Sequence, residues 1–522
     1  MRLINTSTLA LREFWGDDTP RYAILSHTWE EEEVTFQQFM QLPREELTKL
    51  KGFEKIRRTC QLAQHSKIEW AWVDTCCIDK SSSAELTEAI NSMFRWYAES
   101  AVCFAYLSDL QRIDNLSRCR WFTRGWTLQE LIAPRRLGFY NSTWQFQGEK
   151  STLAPELSEI TGISTHVLTN KFSVDIVSVA QRMSWAAARQ TTRAEDLAYC
   201  LLGLFHVQIP LLYGEGGTKA FIRLQEEILK ETNDLSLLAW RMPTSARTQK
   251  YVGVLALSPQ AFADSGKIWL WEDPIYNDEV AVTSKGLRVT PVSGGSLWAS
   301  DPSSGGEFYY YILKLRCYQA TSTGNEDPGD NLRDVGIYLR KHGCDIYTRV
   351  LPDRLARETG YYIPEFKGRT FYISKMVSPV LSMVLGSSSS RDAIDMFRAR
   401  TALERAGFVL RRGAAGIEPV GHWDARREVF LTQGVRVFRC RLVFDHRVEP
   451  EMTLDCVLEE GRLDVNLEVD GVVRGQVLRK NDGKGRMKEW LTARVVKEAV
   501  GGQPMFVVEV DVSHVATTVG KR

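Results

Sequence analysis

Two stretches of this 522-residue chain concentrate side chains able to do chemistry. In "AWVDTCCIDKSSSAE", residues 71–85, Asp74, the adjacent Cys76 and Cys77, and Asp79 come after a short apolar run; in "RWFTRGWTLQELIAP", residues 120–134, Glu130 stands four residues after Trp126. Carboxylates can move protons or stabilise developing positive charge once their surroundings tune them. A thiol becomes a nucleophile only beside a base, and His27 is the one histidine the pattern places near the two cysteines. Neighbouring cysteines chelate poorly, and there is no C-x-x-C pair or H-x-x-x-H spacing, so no metal site is expected. Every one of these residues also has a structural reading. Asp and Ser after a strand cap the next helix, cysteines fill space beneath a loop, and Thr127 with Glu130 has the T-x-x-E spacing of a capping box.

The elements that must position these residues are set by periodicity. "RYAILSHTW" is apolar from Tyr22 to Leu25 and turns polar at Ser26, His27 and Thr28, which reads as a buried strand and its carboxyl end. Phe53, Ile56, Cys60 and Ala63 share one helical face; "EWAWVD" reads as a strand ending at Asp74. Ser82 and Glu85 form an S-x-x-E capping signal ahead of Leu86, Ile90, Met93, Phe94 and Tyr97 at helical spacing. "AVCFAYL" (101–107), ending at Ser108 and Asp109, and "RRLGFY" (135–140) read as further strands. Strand and helix in alternation predict an α/β domain with a parallel sheet covered on both faces. In such sheets ligands bind beyond the carboxyl ends of the strands, so Ser26–Trp29, Asp74–Asp79 and Ser108–Asp109 are expected on one edge.

Composition bounds the rest. Lys+Arg 66 against Asp+Glu 65 gives a net charge of +1, so no global electrostatic pull toward nucleic acid exists, and none is expected as a partner. Apolar content of 44% is that of a folded chain, and no apolar run approaches the length of a membrane span or a signal-peptide core. A cytoplasmic protein is expected, its ten cysteines mostly buried and reduced.

"YAILSHTW", "WVDTCCIDKSSSAELTEAINSMFRWY" and "RGWTLQELI" resemble the three signature blocks of the fungal heterokaryon-incompatibility (HET) domain, in the same order. The segment from "SVAQRMSW" to "RLQEEI" is similar to the stretch directly after that domain in many members, so the resemblance covers about residues 1–240. Glu30 departs from it, standing where the family has glycine. The resemblance implies non-self recognition and regulated cell death on hyphal fusion, set off by an unknown protein trigger. HET domains are in turn similar to TIR domains, which implies a flavodoxin-like parallel sheet. Some TIR domains cleave NAD with a glutamate in a W-C-x-x-E-L stretch. "WTLQEL" is similar, with Thr127 in place of the cysteine, and implies Glu130 as the catalytic residue. Ser26, His27 and Asp74 would then hold ribose or phosphate, with Trp29, Cys77, Asp79 and Trp126 completing the substrate site; NAD is a substrate in this scheme, and no cofactor is called for. The alternative is a non-enzymatic signalling module that works by self-association into a homo-oligomer, through the surfaces of helix 84–98.

Residues 146–240 read as a helical extension, through "SVAQRMSWAAARQ", "RAEDLAYCLLGLF" and "TKAFIRLQEEILKET". His206 reads as a packed or capping residue. "YGEGGTKAF" reads as a glycine-rich lead-in to a helix, since it lacks the G-x-x-x-x-G-K-[ST] spacing of a phosphate loop. From 241 to 522 alternating segments such as "EFYYYILKLRCYQA" and "MFVVEVDVS" predict a β-rich, antiparallel, sandwich-like region with exposed loops at 293–306 and 321–332. It is interrupted by a helix in "RDAIDMFRARTALERAG" and divided near "GSSSS" at 386–390, with the first domain taken as 1–145.

Overall fold

Seven strands make the N-terminal sheet of the computed structural model: β1 (Arg2–Asn5), β2 (Leu11–Glu13), β3 (Tyr22–His27), β4 (Trp70–Trp72), β5 (Val102–Tyr106), β6 (Leu137–Tyr140) and β7 (Phe146–Glu149). Their spatial order is β2-β1-β4-β3-β5-β6-β7. The four inner strands β4, β3, β5 and β6 run parallel, and β1, β2 and β7 close the edges antiparallel. β3 is buried at all six positions, as a strand covered on both faces must be. The structure describes residues 1–243, 249–271, 278–291, 297–299, 310–320, 332–357, 361–362, 369–378, 393–411, 415–425, 427–432, 437–447, 449–459, 462–469, 472–481, 487–500 and 503–512. They fall into two compact units, one built on Met1–Arg241 with Leu255–Trp271 and the other holding the bulk of the C-terminal half.

Helices α1 (Phe36–Gln41), α2 (Arg44–Leu47) and α3 (Lys51–His65) carry the chain from β3 to β4; α4 (Asp74–Cys77) and α5 (Ser83–Glu99) carry it to β5; α6 (Thr127–Ile132) lies between β5 and β6. The chain steps from β3 to β4 and then back across β3 to β5, so right-handed crossovers put α3 and α5 on opposite faces. On the α5 face, Trp72 of β4 meets the rings of Trp96 and Tyr97 edge-on, with centroids 5.7 and 5.9 Å apart.

The expected strand ends shift in two places. Ser26 and His27 are still within β3, because their pairing with β5 continues to Tyr106. β4 stops at Trp72, and Asp74 opens the one-turn α4 instead of ending a strand. The expected capping box of α5 is only half made. Ser82 accepts from the Glu85 amide, but the Glu85 carboxylate turns to Arg2 and to the Asp79 amide at 2.7 Å. Strands β1 and β2, of four and three residues, are too short for alternation to reveal.

Strand β7 carries the sheet beyond residue 145 to Glu149. The segment after it forms α7 (Ala154–Thr161), α8 (Thr165–Leu168), α9 (Val179–Ser184), α10 (Asp196–Tyr199) and α11 (Gly217–Glu231). Only α11 has the length its pattern predicts, burying Phe221, Leu224, Gln225 and Ile228 on one side. This segment packs on α5. A Cβ at Gly203 would stand 2.0 Å from Cβ of Phe94, so only glycine permits the approach.

The second unit is β-rich. Strands Ala393–Asp395, Met487–Val500 and Gln503–Val512 belong to one six-stranded sheet, and Val437–His446, Met452–Glu459 and Arg462–Val469 to another. Ile394, Leu491 and Val508 of the first share a core with Phe408, Leu442 and Val465 of the second and with Leu403 of the helix Phe397–Arg405. Pairing is not wholly antiparallel: Ala393–Asp395 runs parallel to Gln503–Val512, and Ile346–Val350 to Phe371–Ile373. The division expected at 386–390 lies outside the described residues, as do the expected loops apart from the strand Leu297–Ala299 and Leu332. Among the described residues no helix is long and apolar enough to cross a membrane.

Replacing Gly203 by alanine should destabilise the chain by on the order of 1–3 kcal/mol, the usual penalty of overpacking, read as a lower denaturant midpoint. An unchanged midpoint would mean that the segment does not bear on α5.

Candidate functional site

The carboxyl ends of β3 and β4, one face of α5, the start of α6 and residues from 192 to 213 line a cavity of about 300 Å³. Glu130 closes its inner end. It is 7% exposed and accepts a hydrogen bond from Ser26 Oγ, which in turn accepts one from Trp121 Nε1 at 2.8 Å. Burial pushes the Glu130 carboxyl up to about 8; the negative charge of Asp74 adds to the rise, while Ser26, Arg189 and Tyr97 oppose it.

The helix carrying Glu130 is fixed at both ends. Ahead of it, Thr127 Oγ1 donates to the carbonyls of Trp121 and Arg124, and the buried Arg189 donates to Thr127 Oγ1 (3.0 Å) and to the Arg124 carbonyl (2.8 Å). The capping box expected from Thr127 and Glu130 is therefore absent, since both side chains have other partners. After the helix, the buried Lys150 donates to the carbonyls of Leu131 (3.2 Å), Ile132 (3.4 Å) and Pro134 (2.5 Å), satisfying groups that a helix end leaves open. Burial lowers the Lys150 ammonium to about 8.

His27 and Asp74 share the cavity with Glu130. His27 Nδ1 lies 3.9 Å from Asp74 Oδ1, and Nε2 lies 3.7 Å from Glu33 and is buried without a hydrogen bond. Burial would raise the Glu33 carboxyl, but His27 and Lys55 outweigh it and hold it at about 2. Trp29 lines the opening, donating from Nε1 to Asp74 Oδ2 at 2.8 Å with Lys80 Nζ 3.3 Å above its ring. Trp126 also lines the cavity and donates to Asp196 at 3.3 Å.

Three expected site residues stand apart from this lining. Ser26 acts from beneath, through Glu130. Cys77 is buried with its sulfur toward the Val73 amide at 3.4 Å, and burial raises the thiol of neighbouring Cys76 well above its ordinary range, so Cys76 is not poised as a nucleophile. Asp79 accepts from the Ser81 amide (2.9 Å) and from Gln37 (2.6 Å) at the turn before α5. No cluster of three His, Cys, Asp or Glu that could hold a metal occurs among the described residues.

Sequence reading missed the outer wall: Lys80, Arg124, Arg193, Asp196 and Tyr213 line the cavity too. Lys80 and Arg124 lie inside the two stretches already singled out, but nothing local marks Arg193, Asp196 or Tyr213, which only the fold brings there. The glycine-rich lead-in to α11 is held by Glu195, which accepts from the amides of Gly214 (2.9 Å) and Gly216 (3.0 Å); the chain's own carboxylate thus sits where a phosphate would in a phosphate loop. His206, in a left-handed conformation after a turn, is exposed and pairs with Asp175 at 2.6 Å.

A buried acid whose folded pKa exceeds its unfolded value stabilises the fold most at low pH, and that contribution drains away as the unfolded chain alone ionises. Wild-type stability should thus fall relative to Glu130→Gln as pH rises from about 4.5 to about 8, by at most roughly 1.4 kcal/mol per pH unit, and level off above. Parallel curves for the two proteins over that range would contradict the assignment.

The heterokaryon incompatibility protein (HET) family model matches residues 22–118, and a domain of unknown function (DUF8212) matches residues 219–270. Over 230 residues the chain is 44% identical to vegetative incompatibility protein HET-E-1 of Podospora anserina, an alignment covering 42% of this chain. It spans 17% of that relative's length. No solved structure matches the chain. The HET match begins at β3 and takes in β4 and α5, which line one side of the cavity, whereas α6 with Glu130 lies beyond it; together with the identity to an incompatibility protein it shows that this chain carries a HET domain.

Proposed function

We propose that the chain is an incompatibility-type effector of non-self recognition and regulated cell death, and that its strand-end cavity cleaves the glycosidic bond of an NAD-type nucleotide, with Glu130 as the catalytic carboxylate. The observation that carries this is the placement of Glu130: buried at the inner end of the cavity, hydrogen-bonded to Ser26, and on a helix clamped at both ends. The name of the relative, a vegetative incompatibility protein, supports the cellular role. The parallel strands β4-β3-β5-β6 have the spatial order second, first, third, fourth, which supports a flavodoxin-like, TIR-like reading of the sheet; its switch point lies between β3 and β5, beside His27. A three-part layout of HET domain, helical extension and β-rich region, and a cytoplasmic location with an unknown protein trigger, complete the proposal.

In the reaction, nicotinamide leaves with the electron pair of the ribose C1′–N bond, and positive charge develops on the ribose. The buried Glu130 carboxylate stabilises that charge, and a water oxygen then bonds to C1′, losing its proton. His27 and Asp74 hold the ribose hydroxyls, and Trp29 and Trp126 supply ring faces for the nicotinamide. At neutral pH most Glu130 is protonated, so the active carboxylate is the minority form until a cationic pyridinium enters beside it. The alternative is a non-enzymatic module that self-associates through the surfaces of helix 84–98, where Phe94 is already packed against Gly203.

The full-length chain incubated with NAD should release nicotinamide with a kcat/KM that rises with pH through an apparent pKa near 8, that of the free protein, and Glu130→Gln should lose at least roughly 100-fold of it while keeping its fold. Release by the variant at the wild-type rate, or none by folded wild type at any pH, would remove the catalytic reading.

A further inference from the structure

We infer that the cavity recognises a phosphate-bearing ligand through a cationic rim made by Arg124 and Arg193, so that the segment beyond the HET match is part of the binding site and sets its specificity. The inference rests on the reading of this cavity as a ligand site, and not on the bond that is cleaved there.

Arg124 precedes α6 and Arg193 precedes α10, yet both line the same opening. The two segments are joined by backbone bonds, Gly125 N–H to the Gln190 carbonyl at 2.9 Å and Gln190 N–H to the Thr123 carbonyl at 2.7 Å. A Cβ on Gly125 would meet Thr191 at 2.5 Å, so the approach requires glycine there. Arg189 pins the junction from beneath through Thr127 and Arg124. The rim is therefore built into the fold.

The state of the two guanidinium groups points to an anion. Arg193 stacks on the ring of Tyr213, 4.2 Å from its centroid, and Tyr213 is itself anchored by donating to Asp196 at 3.0 Å. A guanidinium held over a ring by this contact keeps its N–H groups available for a planar or tetrahedral oxyanion. Arg124 donates to Thr192 Oγ1 at 3.0 Å. Neither has a carboxylate within ion-pairing distance among the described residues, whereas Lys80 on the facing wall stands 3.6 Å from Asp74.

The interior has the opposite character. Glu130 and Asp74 contribute carboxyl groups, and Leu86, Ile90 and Met93 of α5 an apolar floor, while Asp196 stands on the outer wall with its carboxylate turned to Tyr213 and Trp126. An anion driven inward would meet this acidic set in a poorly hydrated space, while one held at the rim meets two cations. The ligand class that satisfies both ends has a neutral or cationic, partly apolar head and a phosphate or diphosphate tail. A free anion or a purely apolar molecule satisfies only one.

Titration calorimetry on the full-length chain at low salt tests this with ADP-ribose, which carries a diphosphate and no nicotinamide, against adenosine. ADP-ribose should bind at least about tenfold more tightly, and Arg193→Met, a change at an exposed side chain, should remove most of that difference while leaving adenosine affinity and thermal stability as they were. Equal affinity for the two probes, undiminished ADP-ribose binding by Arg193→Met, or no ADP-ribose binding at millimolar concentration would overturn the rim. The two readings separate cleanly: Arg193-dependent binding in a chain that does not cleave NAD upholds the rim and removes the Glu130 chemistry, and cleavage with an unchanged KM in Arg193→Met overturns the rim alone.

Discussion

A carboxyl group taken out of water must be neutralised or firmly paired, and the Glu130 carboxyl is only partly paired. Its one strong partner among the described residues is the Ser26 hydroxyl, whose other contact is Trp121. That chain of three side chains links α6 to the central strand β3 and to the turn before α6, so the position of the acid is set by the most buried part of the sheet. The same burial that fixes it also raises its affinity for protons. Position and protonation are thus one property, and neither can be altered alone.

Holding such a group in place demands more than the sheet. Lys150 reaches the last carbonyls of α6 from β7's end, and Arg189 reaches its start from the segment after α9. Both cations are buried and both are lowered by that burial, the guanidinium to about 10. Each spends its hydrogen bonds on backbone carbonyls or hydroxyls and none on a carboxylate, which leaves Glu130 without a neutralising ion pair from either. A direct Arg189–Glu130 bridge would hold the acid ionised and low. The observed arrangement clamps the helix and keeps the acid proton-prone.

Much of this was legible in the residues. The buried run at Tyr22–Leu25, the helical spacing from Leu86 to Tyr97 and the alternation of strand and helix lead directly to the parallel strands and the edge where their ends converge. The strand pattern puts Ser26 on that edge but not Glu130, which is joined to it only through the resemblance of "WTLQEL" to a TIR stretch. Less legible were the features that depend on competition between partners. Thr127 and Glu130 have capping-box spacing, yet carbonyls and Ser26 offer better-placed bonds, and Glu85 leaves Ser82 for Arg2 in the same way. The outer wall was invisible because Arg193, Asp196 and Tyr213 carry no periodic or motif signal; the glycines that admit them, Gly125 and Gly203, mark the approach without saying what approaches.

Everything at this site turns on the state of one proton, and the carbon-13 chemical shift of the Glu130 carboxyl, assigned by comparison with Glu130→Gln and followed from about pH 4 to about pH 10, reads that state directly. A single titration with a midpoint near 8 is the expected result. A midpoint in the ordinary carboxylate range, about 4 to 5, would show an ionised, solvated acid and contradict the burial on which the site, its clamps and its proposed chemistry all depend.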